Sequence, residues 1–496
     1  MHRLHVLNPI LLLSGGVEKM RKRILALMLT AFMAGIILIG CSSKQNSESS
    51  LAKLSFPEDP KIEELRDSSI VLDKGNWGTL GAHDPSIFKD KDTYYVFSTD
   101  ARVGGPATPG IQVRKSKDLI YWEFVGQALK GIPEEAKKWS HAQGIWAPDV
   151  TKVGEEYYLY YCASTFGKNR SYIGLLKSKS IEGPWEDKGV VLKTNQGDDK
   201  NALDPNIVYD KDGQMWMTYG SFWNGIYIVK LDKNTGKPEN QNDMGKNISK
   251  RDAVVSGAVE GPYMVYNEEQ KKYYLFVSYG SLSSDYNVRV GRADNIEGPY
   301  LDSNGNDMTD ISNSKPNEIG NKILGGYKFG DNEGWMAPGH NSVLNDNGNY
   351  YIVHHVRTEK NKDWFYLNVR KILWSEDGWP IVSPERYTGE KEQAIEKNTL
   401  IGNWQLILQD KNINEIIPSE QYEFTSNGKI KNEKQSGKWE LSGDNNIIIE
   451  LSNNNGKKVE YKGKVIPSWD WENKKQTLVF TVIDKNGVSL WGKLMR

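Results

Sequence analysis

The stretch His83-Asp84-Pro85-Ser86-Ile87-Phe88, running into Tyr94-Tyr95-Val96-Phe97-Ser98-Thr99, decides the fold because the chain repeats its pattern. A polar or acidic residue beside a proline leads into a short apolar strand. A polar turn and a second strand rich in aromatics come next. The pattern returns at Ala147-Pro148-Asp149-Val150 with Tyr157–Tyr161, and at Asp204-Pro205-Asn206-Ile207-Val208 with Trp216–Ser221. It returns again at Glu260-Gly261-Pro262-Tyr263-Met264 with Tyr273–Val277, and at Ala337-Pro338-Gly339-His340-Asn341-Ser342-Val343 with Tyr350–His355. Taking Asp84, Asp149, Asp204, Glu260 and His340 as the unit openings gives spacings of 65, 55, 56 and 80 residues. Each exceeds the roughly 40–50 residues of an ordinary propeller blade, as inserted loops require.

A second repeat has the same cadence. Ser178-Lys179-Ser180-Ile181-Glu182-Gly183-Pro184-Trp185 is echoed by Ala293-Asp294-Asn295-Ile296-Glu297-Gly298-Pro299-Tyr300, a turn expected near the outer strand of a blade. Apart from one helical turn between Pro133 and Trp139, residues 77–390 read as short strands punctuated by Gly, Asn, Asp and Pro. The expected fold is all-β, a five-bladed β-propeller over 77–390. Its innermost strands would line a central channel, so the opening residues of all five units should meet at one funnel.

Past a polar connector, residues 398–496 read as a β-meander through Tyr422-Glu423-Phe424, Trp439-Glu440-Leu441, Ile447–Leu451, Leu478–Val482 and Val488–Trp491. A separate small β-barrel or sandwich is expected there. At the other end, Arg21-Lys22-Arg23 precede an apolar run, Ile24–Ile39, too short for a comfortable membrane span. The run ends at Leu38-Ile39-Gly40-Cys41, which resembles a bacterial lipobox. Residues 1–41 are therefore expected to be a signal peptide with Cys41 as the lipidated residue, and 42–76 a polar tether and lead-in. Met20 is a plausible start, and the expectation is an exported, membrane-anchored lipoprotein, monomeric.

Bulk numbers narrow the function. With 63 basic against 64 acidic residues there is no field to recruit nucleic acid. Two cysteines build no disulfide framework, so the fold stands on packing. Sixteen Trp and 25 Tyr fill cores and strands for the most part, and such a number also suits stacking on flat ligand faces.

Asp84, Asp204 and Glu260 open three units beside a proline. A lone Asp-Pro is ordinarily a turn or strand entry. Three at equivalent repeat positions converge, and converging carboxylates cannot all ionise, so their pKa values are driven apart. One protonated and one ionised acid is what glycoside hydrolysis uses. Glu-Gly-Pro occurs three times, but Glu182 and Glu297 sit in the outer repeat, and only Glu260 leads into an inner strand pair.

These residues resemble glycoside hydrolase family 43, in its two-domain endo-α-1,5-L-arabinanase branch. The resemblance rests on His83-Asp84-Pro85-Ser86-Ile87, Trp146-Ala147-Pro148-Asp149-Val150, Asp204-Pro205-Asn206, Tyr219–Trp223 with Gly225-Ile226, Glu260-Gly261-Pro262-Tyr263 and Met336–Ser342. It implies an inverting enzyme acting on arabinan, with Asp84 as general base, Glu260 as general acid and Asp204 setting the acid's pKa and orientation. Inversion requires base and acid about 6.5–9.5 Å apart. For the sugar, Trp146 is the expected stacking platform, with Asn206, Ser221 and Phe222 lining the cleft. Asp149 either binds a sugar hydroxyl or a metal-bound water, or caps its blade. His340 reads from chemistry alone as a hydrogen-bonding histidine or transition-metal ligand, since calcium prefers oxygen. The resemblance implies one calcium ion near the channel axis, mostly water-coordinated, with His340 beside it. His354-His355 stay open between packing and a metal shell, and Asp302–Asp307 reads as a surface turn rather than a calcium loop. Two other readings compete: an exo-acting arabinofuranosidase or β-xylosidase on the same scaffold, and a non-catalytic glycan-binding lipoprotein.

Overall fold

Aromatic and β-branched side chains favour a pleated surface packed from both sides, and the aromatic runs become the second strands of five antiparallel sheets. The computed structural model describes residues 53–61, 68–240, 242–312, 314–452 and 456–496. The expected signal segment 1–41, its Cys41 and much of the polar lead-in lie outside them. No helix among the described residues is long and apolar enough to cross a membrane. Lys53-Leu54 and Glu396–Ile401 belong to a small unit of their own, in which Lys53 pairs with Glu396 at 3.0 Å. The larger unit, Ser55–Ile395 with Gly402–Arg496, holds every strand among the described residues.

The five sheets are the blades of a propeller. Blade 1 holds β1 (Ser86–Asp90), β2 (Thr93–Ser98), β3 (Gln112–Ser116) and β4 (Glu123–Gln127). Blade 2 holds β5 (Trp146–Val153), β6 (Glu156–Ala163), β7 (Tyr172–Ser178) and β8 (Glu186–Lys193), with a helix α1 (Glu134–Ser140) before it. Blade 3 holds β9 (Asn206–Tyr209), β10 (Met215–Tyr219) and β11 (Ile226–Asp232), edged by β12 (Lys237–Pro238) and β13 (Lys246–Ser249). Blade 4 holds β14 (Val259–Asn267), β15 (Lys272–Tyr279), β16 (Asn287–Ala293) and β17 (Asn321–Leu324). Blade 5 holds β18 (Tyr327–Lys328), β19 (Trp335–Asp346), β20 (Asn349–Thr358), β21 (Phe365–Trp374) and β22 (Pro380–Val382).

Strand β6 explains why the aromatic runs are continuous rather than alternating. Its odd residues, Tyr157, Leu159 and Tyr161, pack with Tyr95, Phe97 and Val113 of blade 1. Its even ones, Tyr158, Tyr160 and Cys162, pack with Met215, Met217 and Tyr219 of blade 3. Both faces of the strand are core, so no position is free to be polar.

The five blades enter the channel by one device, and it corrects the equivalence drawn from sequence. The aligned positions are the residues preceding Pro85, Pro148, Pro205, Pro262 and Pro338. They are Asp84 (φ 50°), Ala147 (φ 35°), Asp204 (φ 57°), Gly261 (φ 57°) and Ala337 (φ 50°). All five adopt positive φ, four of them without being glycine, at about 1–3 kcal/mol of strain each. Glu260 therefore precedes the aligned position by one residue, while Asp149 and His340 come after it.

The strain is held by a belt of hydrogen bonds joining each innermost strand to the next. Ser86 Oγ donates to Asp149 Oδ1 at 2.6 Å, and Asp149 Oδ2 accepts the Ile207 N–H at 2.6 Å. Asn206 Oδ1 accepts the Met264 N–H at 2.8 Å, and Tyr263 takes a backbone hydrogen bond from Val343. Ser342 Oγ accepts the Ile87 N–H at 3.1 Å and returns the belt to blade 1.

The C-terminal region is a closed eight-stranded barrel. Its strands are β23 (Gly402–Leu408), β25 (Glu420–Phe424), β26 (Lys429–Lys431), β27 (Ser436–Ser442), β28 (Asn446–Ser452), β29 (Lys458–Asp470), β30 (Lys475–Asp484) and β31 (Ser489–Leu494). A short β24 (Ile417–Pro418) leaves the barrel order and pairs in parallel with β18. Trp404, Phe424, Trp439 and Phe480 fill the barrel, with ring centroids 5.2 to 6.0 Å apart.

Asp149→Ala should remove the acceptor of both the Ser86 hydroxyl and the Ile207 N–H. Each stranded donor costs about 1–3 kcal/mol. The urea midpoint should fall accordingly, and Asp149→Asn, which retains one oxygen, should lose less.

Candidate active site

At the mouth of the channel is a cavity of about 700 Å³, lined by residues from all five blades. Asp84, Asp204, Glu260, His340, Trp146, Ser221 and Phe222 all border it, so the structure brings together seven of the residues singled out from sequence. Asp149 and Asn206 do not border it. They belong to the belt beneath, where Asn206 Nδ2 also donates to Asp149 Oδ2 at 3.3 Å. Their side chains are spent on strand backbones, which leaves Asp149 the capping alternative and removes Asn206 from the cleft.

Asp84 is the hub. Its Oδ1 lies 2.8 Å from His83 Nδ1, 3.1 Å from His340 Nδ1 and 3.6 Å from His355 Nδ1. Its Oδ2 accepts the Thr99 hydroxyl at 2.6 Å. Arg357 Nη2 donates to His83 Nε2 at 3.1 Å, which fixes the tautomer: Nε2 accepts, so Nδ1 carries the proton given to Asp84. Burial pushes the Asp84 carboxyl up, but His83 and His340 outweigh it and hold it well below the usual range. His340 responds in kind. Burial lowers it, but Asp84, Asp204 and Glu260 together raise it to about 9.

Glu260 is held at both oxygens. Ser221 Oγ donates to Oε2 at 2.7 Å and the Tyr286 hydroxyl to Oε1 at 2.8 Å. Burial raises its pKa against the opposing pull of Ser221, His340 and Tyr286. Asp204 Oδ2 accepts the N–H of Gly261, the residue after Glu260, at 3.1 Å. Burial lifts Asp204 to about 7, the nearby Glu260 and Asp84 adding to the shift and His340 opposing it. Three carboxylates are thus sorted by environment: Asp84 is ionised among histidines, while Asp204 and Glu260 hold their protons above the ordinary carboxylate range. The other two Glu-Gly-Pro glutamates stand away from the cavity, Glu182 accepting the Tyr95 hydroxyl on the exterior.

Several residues at the site carry weak or no sequence signal. His83 is readable only from its place beside Asp84. Tyr286 opens no unit and no repeat marks it, yet it packs so closely on Gly339 that a Cβ there would lie 2.1 Å from its ring. On the rim, Phe166 is 81% exposed and Trp223 39%, so aromatic faces reach solvent beyond Trp146 and Phe222. His355 stacks on His83 at 3.8 Å and joins the Asp84 shell. His354 instead points its Nδ1 at its neighbour's carbonyl, away from the cavity.

The donor set bears on the expected metal. His83, Asp84 and His355 cluster within 4.8 Å of one another, but both His83 nitrogens are taken by Asp84 and Arg357, while both Asn341 amide atoms and His355 Nε2 are buried without a partner among the described residues. Such atoms fit an ion or its water shell, but the donors are mostly imidazole, so calcium here would keep chiefly water oxygens. The Asp302–Asp307 turn is not wholly at the surface: Asp302 is buried, its Oδ1 accepting the Asn304 and Asn306 N–H groups and its Oδ2 the Gly320 N–H at 3.0 Å.

Opposed protonation among carboxylates, beneath aromatic faces open to solvent, is the chemistry of glycosidic bond cleavage. Comparison with known proteins makes that class specific. Residues 79–380 match the model of glycosyl hydrolases family 43, and residues 384–492 match its C-terminal lipocalin-like domain. The chain belongs to family 43 and is a glycosidase. It is 36% identical to the extracellular endo-α-(1→5)-L-arabinanase of Thermotoga petrophila, over 83% of this chain and 93% of that one. The crystal structure of the T. petrophila RKU-1 endo-1,5-α-L-arabinanase aligns with a TM-score of 0.77 at 34% identity, over 84% of this chain and 99% of that one. The extracellular endo-α-(1→5)-L-arabinanase 2 of Bacillus subtilis is 31% identical over 86% and 95%. An extracellular exo-α-(1→5)-L-arabinofuranosidase of Cellvibrio japonicus is 34% identical over 64% and 90%.

The protonation pattern predicts a pH profile. If Glu260 serves as the acid and Asp84 as the base, kcat/KM falls as pH rises through the raised Glu260 pKa. Tyr286→Phe removes a donor that stabilises ionised Glu260, so its pKa rises further. The alkaline limb of the kcat/KM profile should move to higher pH, and a limb that stays put or moves down would count against Glu260 as the acid.

Proposed function

We propose that this protein cleaves α-1,5-linked L-arabinan internally, with inversion. The observation that carries the reading is that one cavity holds Asp84, whose carboxylate two histidines favour, together with Glu260, which burial pushes towards its protonated form. Asp84 would take a proton from the attacking water, and Glu260 would protonate the departing glycosidic oxygen. Asp204, bonded to the backbone of the acid's neighbour, would orient Glu260 and resist a second negative charge beside it. Trp146 and Phe222 would stack on the sugar, while Ser221 serves the acid rather than the sugar. Exposed Phe166 and Trp223 extend the aromatic surface past the carboxylates, which suits a polymer running through the site rather than a chain end in a blind pocket.

Calcium near the axis would add positive charge close to Asp84 and favour its ionised form. His340 would stand beside it, its Nδ1 turned to Asp84, and water oxygens would make up most of the shell. The relatives' extracellular names and the lipobox at Cys41 together support export with an N-terminal lipid anchor.

Glu260→Gln should reduce hydrolysis of linear arabinan by about 10²–10⁴-fold. Internal cleavage should drop the viscosity of arabinan well before free arabinose accumulates, and proton NMR of the first product should show the inverted anomer. Arabinose released from the outset would favour the exo reading, and binding without turnover the non-catalytic one. Chelation should lower both activity and the thermal midpoint, with calcium restoring each, and an unchanged enzyme would remove the metal from the proposal.

A further inference from the structure

We infer that Thr99 is a positioning residue that locks Asp84 and the backbone carrying Trp146 into one rigid unit. The inference rests on the reading of Asp84 as base and Trp146 as sugar platform. Thr99 comes just after β2 and is buried. Its Oγ1 donates to Asp84 Oδ2 at 2.6 Å and accepts the Ala147 N–H at 2.8 Å. A hydroxyl has one proton to give and lone pairs to receive with, so the two bonds coexist and each has a fixed direction. Its own N–H is anchored on the His83 carbonyl at 2.9 Å.

Ala147 is the residue at φ 35° that opens blade 2, next to Trp146. The bond from Thr99 therefore falls on the strained turn that sets the ring's direction. Asp100 grips the other flank. Its Oδ2 accepts the Ile145 N–H at 2.7 Å and the Gly110 N–H at 3.1 Å, and its N–H donates to the Ile145 carbonyl at 3.2 Å. A Cβ on Gly144 would lie 2.6 Å from Asp100 Oδ1, so the loop approaches the carboxylate at a distance only glycine allows. Two consecutive residues of blade 1 thus hold Trp146 from both sides, and of the two only Thr99 also touches the base.

The arrangement separates two effects. Thr99→Val keeps the shape and removes the hydroxyl. Base and platform should both loosen, lowering kcat by about 10–100-fold, as an ångström-scale misplacement does, and raising KM. Thr99→Ser should restore both to within about threefold. Asp100→Asn should raise KM with kcat close to wild type, because Asp100 does not reach Asp84. In a Trp146→Ala background, Thr99→Val should still lower kcat but no longer raise KM. The inference falls if Thr99→Val leaves both constants within twofold, or if serine does not rescue. If neither Thr99→Val nor Thr99→Ala folds while Thr99→Ser does, the hydroxyl serves folding and the inference falls too. Asp84→Asn separates this from the underlying assignment: an active Asp84→Asn overturns the base, whereas an inactive one beside an unaffected Thr99→Val overturns only the role of Thr99.

Discussion

The active site depends on the belt that joins the innermost strands. Each blade enters the channel through a residue at positive φ locked before a proline, a conformation that four of the five residues adopt against their side chains. Such a turn persists only where the surroundings over-determine it. Asp149, Asn206, Tyr263 and Ser342 do this by bonding backbone N–H groups of the neighbouring blade. Because the belt closes, moving one blade entrance breaks bonds at two others. The carboxylates above it therefore share one rigid floor, although more than 170 residues separate Asp84 from Glu260 in the chain.

On that floor, chemistry is divided by what surrounds each acid rather than by the acid itself. Asp204 and Glu260 are buried and Asp84 nearly so, which alone would push every one of them towards neutrality. Asp84 escapes because imidazoles from blades 1 and 5 converge on a single oxygen. Glu260 accepts from two neutral hydroxyls instead, and these together with His340 oppose burial too weakly to cancel its upward push. Asp204 is raised as well, to about 7, His340 and its one backbone donor being no match for burial beside two other acids. Similar groups thus come to favour opposite protonation states, as differential burial and pairing require.

The propeller was legible because two-sided packing writes itself into sequence as unbroken aromatic runs, and the proline before each inner strand marks the repeat. Asp84, Asp204 and Glu260 were legible for the same reason. The residue-by-residue equivalence was not. Aligning on polar residues put Asp149, Glu260 and His340 in register with Asp84, whereas the proline is the fixed point and the polar residue slides by one to three positions around it. Function lies in that sliding: Glu260 reaches the cavity, while Asp149, just past its proline, is absorbed by the belt. Tyr286, Thr99 and Arg357 act through partners distant in sequence and carry no repeat signature of their own. Nothing short of the assembled ring distinguishes them from ordinary strand residues.

The barrel is built into the same rigidity. Ile407, Ile417, Ile466, Val479 and Trp491 share one apolar cluster with Tyr274, Phe276 and Ile352 of blades 4 and 5. Buried cations finish the seam. Arg289 of β16 donates to the Lys411 carbonyl at 2.7 Å, and Lys322 of β17 donates to the carbonyls of Asp410 and Ile413. Burial, with Arg289 adding to it, pushes Lys322 down to about 7 against the pull of Asp410 and Glu415. Lys493 of β31 lies 2.8 Å from Glu385, 3.0 Å from Asp470 and 2.7 Å from Glu472. Breaking such contacts would leave buried donors and charges unpaired, which is costlier than forgoing them altogether. Blades 4 and 5, which carry Glu260, Tyr286, His340 and His355, are the ones braced in this way. Blades 1 and 2 carry Asp84 and Trp146, the proposed base and sugar platform, and there the Thr99–Asp100 clamp does the equivalent work within the propeller itself.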